Sequence, residues 1–268
     1  MARVLDHPAQ VFALAFVLLW VATQIGVFLR RRTGNLEQHV RDDFSTVQAA
    51  TLTLTGLIIG FTFSMAVNRY ELRKSYEEAE ANAIGTEYLR TDLLPAGDAA
   101  KLRPLLQDYL AQRISFYIAV NGSELREANA RTALLNNELW AAIRGAAAAQ
   151  PTPTIALVVA GMNDVLNSQG YTQAAWWNRI PTGAWILMAV IAVIGNVLLG
   201  YGVQDVKAGR TLLMVLPFVL AISFLLIADI ESPRGGIIRV KPQNLTNLAE
   251  ALRSGPSVGG PVVRPPAQ

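Results

Sequence analysis

The sequence predicts an all-α, polytopic membrane protein with four transmembrane helices and a helical aqueous domain between spans 2 and 3. Three observations predict it. Four long apolar runs punctuate the chain, each near the roughly 20 residues a helix needs to cross a hydrocarbon core about 30 Å thick. The 268 residues are 52% hydrophobic and only 16% charged, where a soluble protein would carry about a quarter charged residues. Between the second and third runs the apolar residues recur at three and four, the helical period, and do not alternate at period two over any length.

Residues 1–69 read as a first transmembrane hairpin with spans at about 9–29 and 47–67. The first run is followed by Arg30, Arg31 and Arg32 rather than by the small residues of a cleavage site, so it is expected to stay as an anchor. Residues 30–45, with a Gly-Asn turn signal, are expected to form a polar hairpin loop. In the second span Gly56, Gly60 and Ser64 stand at four-residue spacing and leave one side of the helix nearly flat. Such a face lets another helix approach closely in lipid, where packing drives association. One position round lies a second row, Thr53, Leu57 and Phe61. The span leaves the bilayer at Asn68, Arg69 and Tyr70, an aromatic-plus-cation border.

No Pro or turn cluster follows, so the helix is expected to run on in water to Arg90. Its Arg73–Glu77 and Lys74–Glu78 pairs stand at i,i+4, the pattern of a solvated charged face. Glu80 and Glu87 lie seven apart on one side, with Asn82 between them and Arg90 three beyond Glu87. This string is expected to fix the helix against its neighbours or against a second subunit.

The aqueous domain is assigned to residues 70–178. Leu94-Pro95-Ala96-Gly97 breaks the long helix, and Asp98 reads as the N-cap of the next. Leu102, Leu105, Leu106, Tyr109 and Leu110 give that next helix its buried stripe. Ser123 is expected to start another, with Leu135, Leu139 and Ile143 on its inner face, and a further helix spans about 154–169. Trp176 and Trp177 announce the membrane interface. The second hairpin, 179–230, has spans at about 183–203 and 212–228, tightly linked. Asn196 in mid-span predicts an interhelical hydrogen bond, and Pro217 a kink. Residues 231–268 are expected to form a polar tail, amphipathic around Leu245, Leu248 and Leu252, whose Pro/Gly-rich end is expected to be disordered.

The chemistry the chain lacks is informative. With no Cys, disulfides, thiolate zinc sites and Cys nucleophiles are excluded. Two His residues, His7 and His39, are too few for a histidine metal site within one chain. No phosphate-binding Gly-rich loop, GxSxG elbow or HExxH motif occurs. The carboxylates of the long helix lack the Glu-x-x-His partners of bundle metal sites. No catalytic residue, metal or cofactor is assigned, and an enzyme is not expected. Net charge is +3, and the Arg residues flank membrane runs, where they act on topology and lipid surface rather than as a nucleic-acid footprint. Arg30, Arg31, Arg32, Arg41, Lys207 and Arg210 face one side; Arg3, Arg69, Arg73, Lys74 and Arg179 are among those on the other. Charge alone does not orient the chain.

Three strings, GFTFSMAVNRY, EEAEANAIGTEYLR followed by DLLP, and ESPRGGIIRV after the last span, resemble the bacterial bestrophin-like membrane domain over about 51–241. More distantly the chain is similar to bestrophins proper, pentameric anion channels. There the second membrane helix lines the pore and carries a Gly-Phe pair followed by an Arg-aromatic pair; Gly60-Phe61 and Arg69-Tyr70 stand in those places here. The resemblance implies that Thr53, Leu57 and Phe61 line a constriction and that Arg69 and Arg73 ring its mouth. Thr53 departs from the three stacked apolar residues of that family. The likeness also implies a homo-oligomer in a bacterial inner membrane that passes small anions, with both termini and the aqueous domain in the cytoplasm. The other reading is a non-conducting scaffold or sensor whose helical domain binds a protein partner. A second span open towards a central axis favours the first, and a second span buried by spans one, three and four favours the other.

Overall fold

The computed structural model describes residues 7–33, 38–203 and 211–254, and every element in them is helical. Arg3, Lys207, Arg210, the Gly-Asn turn, the link between the last two spans and the Pro/Gly-rich end lie outside the described residues. In order the helices are α1 (Pro8–Thr33), α2 (Gln38–Arg90), a 3-10 turn (Thr91–Leu93), α3 (Ala96–Ile118), α4 (Gly122–Ala149), α5 (Pro153–Trp177), α6 (Thr182–Gly202), α7 (Leu212–Glu231) and α8 (Gln243–Ser254). Four helices among the described residues are long and apolar enough to cross a membrane: α1, α2, the stretch that α5 and α6 make together, and α7. The chain divides into two compact units, Met1–Arg73 with Ala175–Val240, and Lys74–Ala174 with Lys241–Gln268. Helix α2 passes unbroken from the first into the second.

The first unit is a bundle of apolar helices. Val11, Ala15 and Leu19 of α1 meet Met188 and Ala192 of α6 and Leu220, Phe224 and Ile227 of α7 in one core, which Ala66 of α2 joins. Where α1 and α6 come closest, each supplies a glycine. A Cβ at Gly26 would collide with the Val197 carbonyl, and one at Gly200 with the Thr23 carbonyl, so only the missing side chains let the two backbones touch. Beside this contact the buried Thr23 hydroxyl donates to Asn196 Oδ1 at 3.3 Å, and Asn196 Nδ2 donates to the Ala192 carbonyl at 2.7 Å. This is the interhelical bond the sequence predicts.

In the second unit α3 packs on α4. Leu102, Leu106, Tyr109 and Leu110 of α3, Leu135, Leu139 and Ile143 of α4, and Val158, Met162 and Val165 of α5 are buried, in the i, i+3, i+4 rhythm of amphipathic helices. Helix α8 adds Leu245, fully buried.

Several local expectations are corrected. The supposed loop at 30–45 is largely helical, because α1 continues through Arg30, Arg31 and Arg32 and α2 begins at Gln38. Arg is a good helix former, and cations suit the negative C-terminal end of a helix. Asp98 is not a cap: its own N–H already bonds the Pro95 carbonyl at 2.9 Å, which puts it inside the first turn of α3. Asn121 rather than Ser123 caps α4. Asn121 Oδ1 accepts from the Glu124 N–H at 2.9 Å while a Glu124 oxygen accepts from the Val120 N–H at 2.9 Å, a reciprocal arrangement like the capping box. Helix α5 runs past residue 169 to Trp177, since Gly170 alone does not stop it.

Candidate functional site

Two opposite faces divide the membrane half of α2. Thr55, Thr62 and Ala66 are buried, and Ile58, Ile59 and Val67 pack against the core of the bundle. The other face carries Thr53, Leu57 and Phe61 together with Gly56, Gly60 and Ser64, and all six are exposed. Leu57 is 51% and Phe61 59% exposed, and a Cβ added at Gly56 or Gly60 would meet nothing within 4 Å. Both rows that the sequence singles out therefore lie together on a side that the chain's own spans leave open. Thr53 does not make this face strongly polar. Its hydroxyl donates to the Ala49 carbonyl at 2.9 Å, as Thr51, Thr55 and Thr62 do to their own i−4 carbonyls. A hydroxyl bonded in this way spends its proton on its own helix.

At the aqueous end of this half, Arg69 and Arg73 differ. Arg69 is half-buried, and its guanidinium donates to Asn178 Oδ1 at 2.8 Å. Arg73 is 1% exposed. Its Nε donates to the Ala175 carbonyl at 3.3 Å and its Nη1 to the Ile230 carbonyl at 3.2 Å. It ties α2 to the ends of α5 and α7, so of the two only Arg69 keeps an exposed part. Nearby, Asp229 accepts from the N–H groups of Ile237 and Ile238 at 2.7 and 2.8 Å. The second glycine of PRGG is needed there, because a Cβ at Gly236 would collide with the Asp229 carbonyl. Glu231 accepts from the Ile180 N–H at 2.7 Å. The two acids read at the close of the last span thus hold the following loop and the entry to α6.

In the aqueous half of α2 the solvated-face expectation fails at Arg73 and Glu77, which are buried, while Lys74 and Glu78 are exposed. Glu77, Glu80 and Glu87 are buried, while Glu78 and Asn82 are exposed. Glu77 does not turn to Arg73; it accepts from the Leu245 N–H at 3.0 Å and from Asn244 Nδ2 at 2.6 Å, capping the start of α8. Glu80 is ion-paired with Arg113 of α3 through Nε, with Nη2 at 3.5 Å, and accepts from the Tyr117 hydroxyl at 3.3 Å and the Thr172 hydroxyl at 3.0 Å. Burial, and after it the charge of Glu80, pushes the Tyr109 and Tyr117 phenols up. Arg113 is the functional partner that sequence reading missed. It stands at i+3 from Leu110 and i+4 from Tyr109, inside the buried stripe of α3, and a charge in that register is the signal that could have found it.

Glu87 has no such donors. Neither of its oxygens has a hydrogen-bond partner; Arg90 Nη1 stands 3.9 Å away. No group of three or more His, Cys, Asp or Glu among the described residues could hold a metal ion.

A family model for the Bestrophin-like domain matches residues 9–245. The chain belongs to that family. Solved structures agree at the level of fold. A bacterial bestrophin homologue from Klebsiella pneumoniae, solved by zinc phasing, superposes with a TM-score of 0.62 at 14% identity, covering 90% of this chain and 97% of that one. A single-residue variant of a bacterial bestrophin homologue from the same organism gives a TM-score of 0.60 at 13% identity over 90% of this chain and 97% of its own. No curated protein matches the chain. Family and spans together make it an integral, multi-pass membrane protein with a bestrophin fold.

Proposed function

We propose that this bestrophin-like protein is an oligomeric anion channel in which the second span lines the pore. One observation carries the reading: Thr53, Leu57 and Phe61 stack on a face of α2 that the chain's own spans do not cover. Several copies turning this face to a common axis would build a narrow apolar neck, which gates by dewetting. Gly56, Gly60 and Ser64 would let neighbouring copies approach, and Arg69 would raise the local anion concentration at the mouth. Arg73 would act as a buried strut behind that mouth. The orientation belonging to this reading puts both termini and the aqueous unit in the cytoplasm of a bacterial inner membrane.

Chloride flux from liposomes holding the purified protein tests it, with wild type set beside Phe61→Ala and Leu57→Ala. The expected result is flux whose rate or selectivity changes in both variants. Well-folded protein that passes no ion across salts and pH would sink the channel reading in favour of a partner-binding scaffold, to be pursued by crosslinking.

A further inference from the structure

Glu87 is a carboxyl placed where an ionised carboxylate has almost nothing to hold it. It is 0% exposed, and both oxygens lack a hydrogen-bond partner. Burying an ionised carboxylate without donors is costly, and the group lowers that cost by taking up a proton. The pocket is shaped for the side chain: a Cβ at Gly161 of α5 would collide with Glu87 Oε2 and with Arg90 Nη1, so the two side chains occupy a notch that only glycine leaves. Two charged groups act on it. Arg90, one turn along α2 and a third exposed, sits at 3.9 Å, too far for a hydrogen bond; Asp164, from α5, opposes ionisation. Burial pushes the carboxyl up to about 8, against the pull of Arg90 and with a push from Asp164.

Glu80, seven residues earlier on the same helix, shows what donors a buried acid has here. Arg113, Tyr117 and Thr172 all donate to it. Neither oxygen of Glu87 has a hydrogen-bond donor, and its cation, Arg90, stands at 3.9 Å.

We propose that Glu87 is a reversible proton-binding site of the aqueous unit, neutral when packed in the Gly161 notch and ionised only when α5 or Arg90 adjusts to admit a charge. The ligand is the proton itself, and Gly161 and Arg90 set how tightly it is held. The site does not depend on whether the chain conducts, and its test reads protonation directly.

Infrared difference spectroscopy on the full-length protein in liposomes, stepped from pH 6 to pH 10, reads the C=O stretch of a protonated carboxyl. In wild type a carboxylic-acid band is expected to bleach with a midpoint near 8. Glu87→Gln, nearly the same shape and always neutral, should abolish that band while leaving the fold intact. Arg90→Gln removes the cation that pulls the proton off, so its midpoint should move upward. A wild-type band absent at neutral pH, or one that titrates identically in Glu87→Gln, overturns the proposal. So does a midpoint that Arg90→Gln leaves in place.

Discussion

The two halves of α2 solve opposite problems with one unbroken helix. In the membrane half one face packs on the bundle while the other shows Leu57 and Phe61 to the surroundings, and its polar groups are satisfied by their own backbone. The aqueous half buries carboxylates at Glu77, Glu80 and Glu87 instead. Solvent explains the contrast. Lipid imposes no penalty on an exposed Phe61, so nothing within one chain needs to cover it. Water does impose one on apolar surface, so the aqueous stripe must be covered, and acids placed in that stripe must bring donors with them. Two of the three acids have donors, and one does not.

The sharpest way to break this contrast is to strip a donor. Arg113→Met leaves the Glu80 carboxylate buried with only hydroxyl partners, and the loss of one member of a buried pair costs about 3–5 kcal/mol. Chemical unfolding of the aqueous unit, followed by the fluorescence of Trp140, should show that loss. Adding Glu80→Gln to Arg113→Met should restore a large part of it, because the stranded charge is then gone. If the double variant is as unstable as the single one, packing rather than charge holds this region.

A smaller effect separates the tight α1–α6 contact from the open face of α2. Gly200→Ala drives a Cβ into the Thr23 carbonyl, whereas Gly60→Ala meets nothing within 4 Å. The first should lower stability by about 1–3 kcal/mol as an overpacked contact. The second should change the stability of a dissociated subunit by less than about 0.5 kcal/mol. Thermal unfolding in a detergent that separates subunits compares them, and equal losses would mean that the Gly60 face is covered by its own chain after all.

How much of this was legible depends on which physics wrote it. The four spans, the continuous α2 and the helical aqueous unit follow from apolar run length and from the absence of breakers after Tyr70, signals carried by many residues at once. Single residues decided the rest. Asn121 took the cap from Ser123 because its side chain reaches the Glu124 N–H, a choice that depends on one turn of backbone. The spacing of Glu80 and Glu87 on α2 pointed to a contact but not to its partner; that lay on α3, where Arg113 interrupts an apolar stripe. Thr172 and Gly161, the other halves of these acid sites, sit on α5 at sequence distances that periodicity does not reach. The open face at Thr53, Leu57 and Phe61 was visible as a row of residues, but its openness was not, since burial depends on where the other spans lie.

The acid without donors should make stability depend on pH. In the unfolded chain the Glu87 carboxyl ionises near its ordinary value of 4.5, while in the folded chain it is pushed up to about 8. Between those values the folded state keeps a proton that the unfolded state has lost, so stability falls as pH rises through this window and levels off above it. Melting temperatures of wild type between pH 5 and pH 9 should decline with that shape, relative to a shallower line for Glu87→Gln. Parallel curves would assign the pH dependence to other groups.

The smallest effect on stability belongs to the residue with the largest proposed effect on function. Phe61 touches little of its own chain, so Phe61→Ala should shift the unfolding of a separated subunit by no more than about 0.5 kcal/mol. A buried Phe cut to Ala would lose about 3–5 kcal/mol. If Phe61 lines a pore shared by several copies, the same change should widen the neck and alter chloride flux. Core residues and pore residues respond oppositely here: a core residue loses stability first and function through it, while a pore residue loses only function. A Phe61→Ala subunit that unfolds as easily as a Leu139→Ala one would place Phe61 in the bundle core. Unchanged stability together with unchanged flux would leave the open face of α2 to lipid.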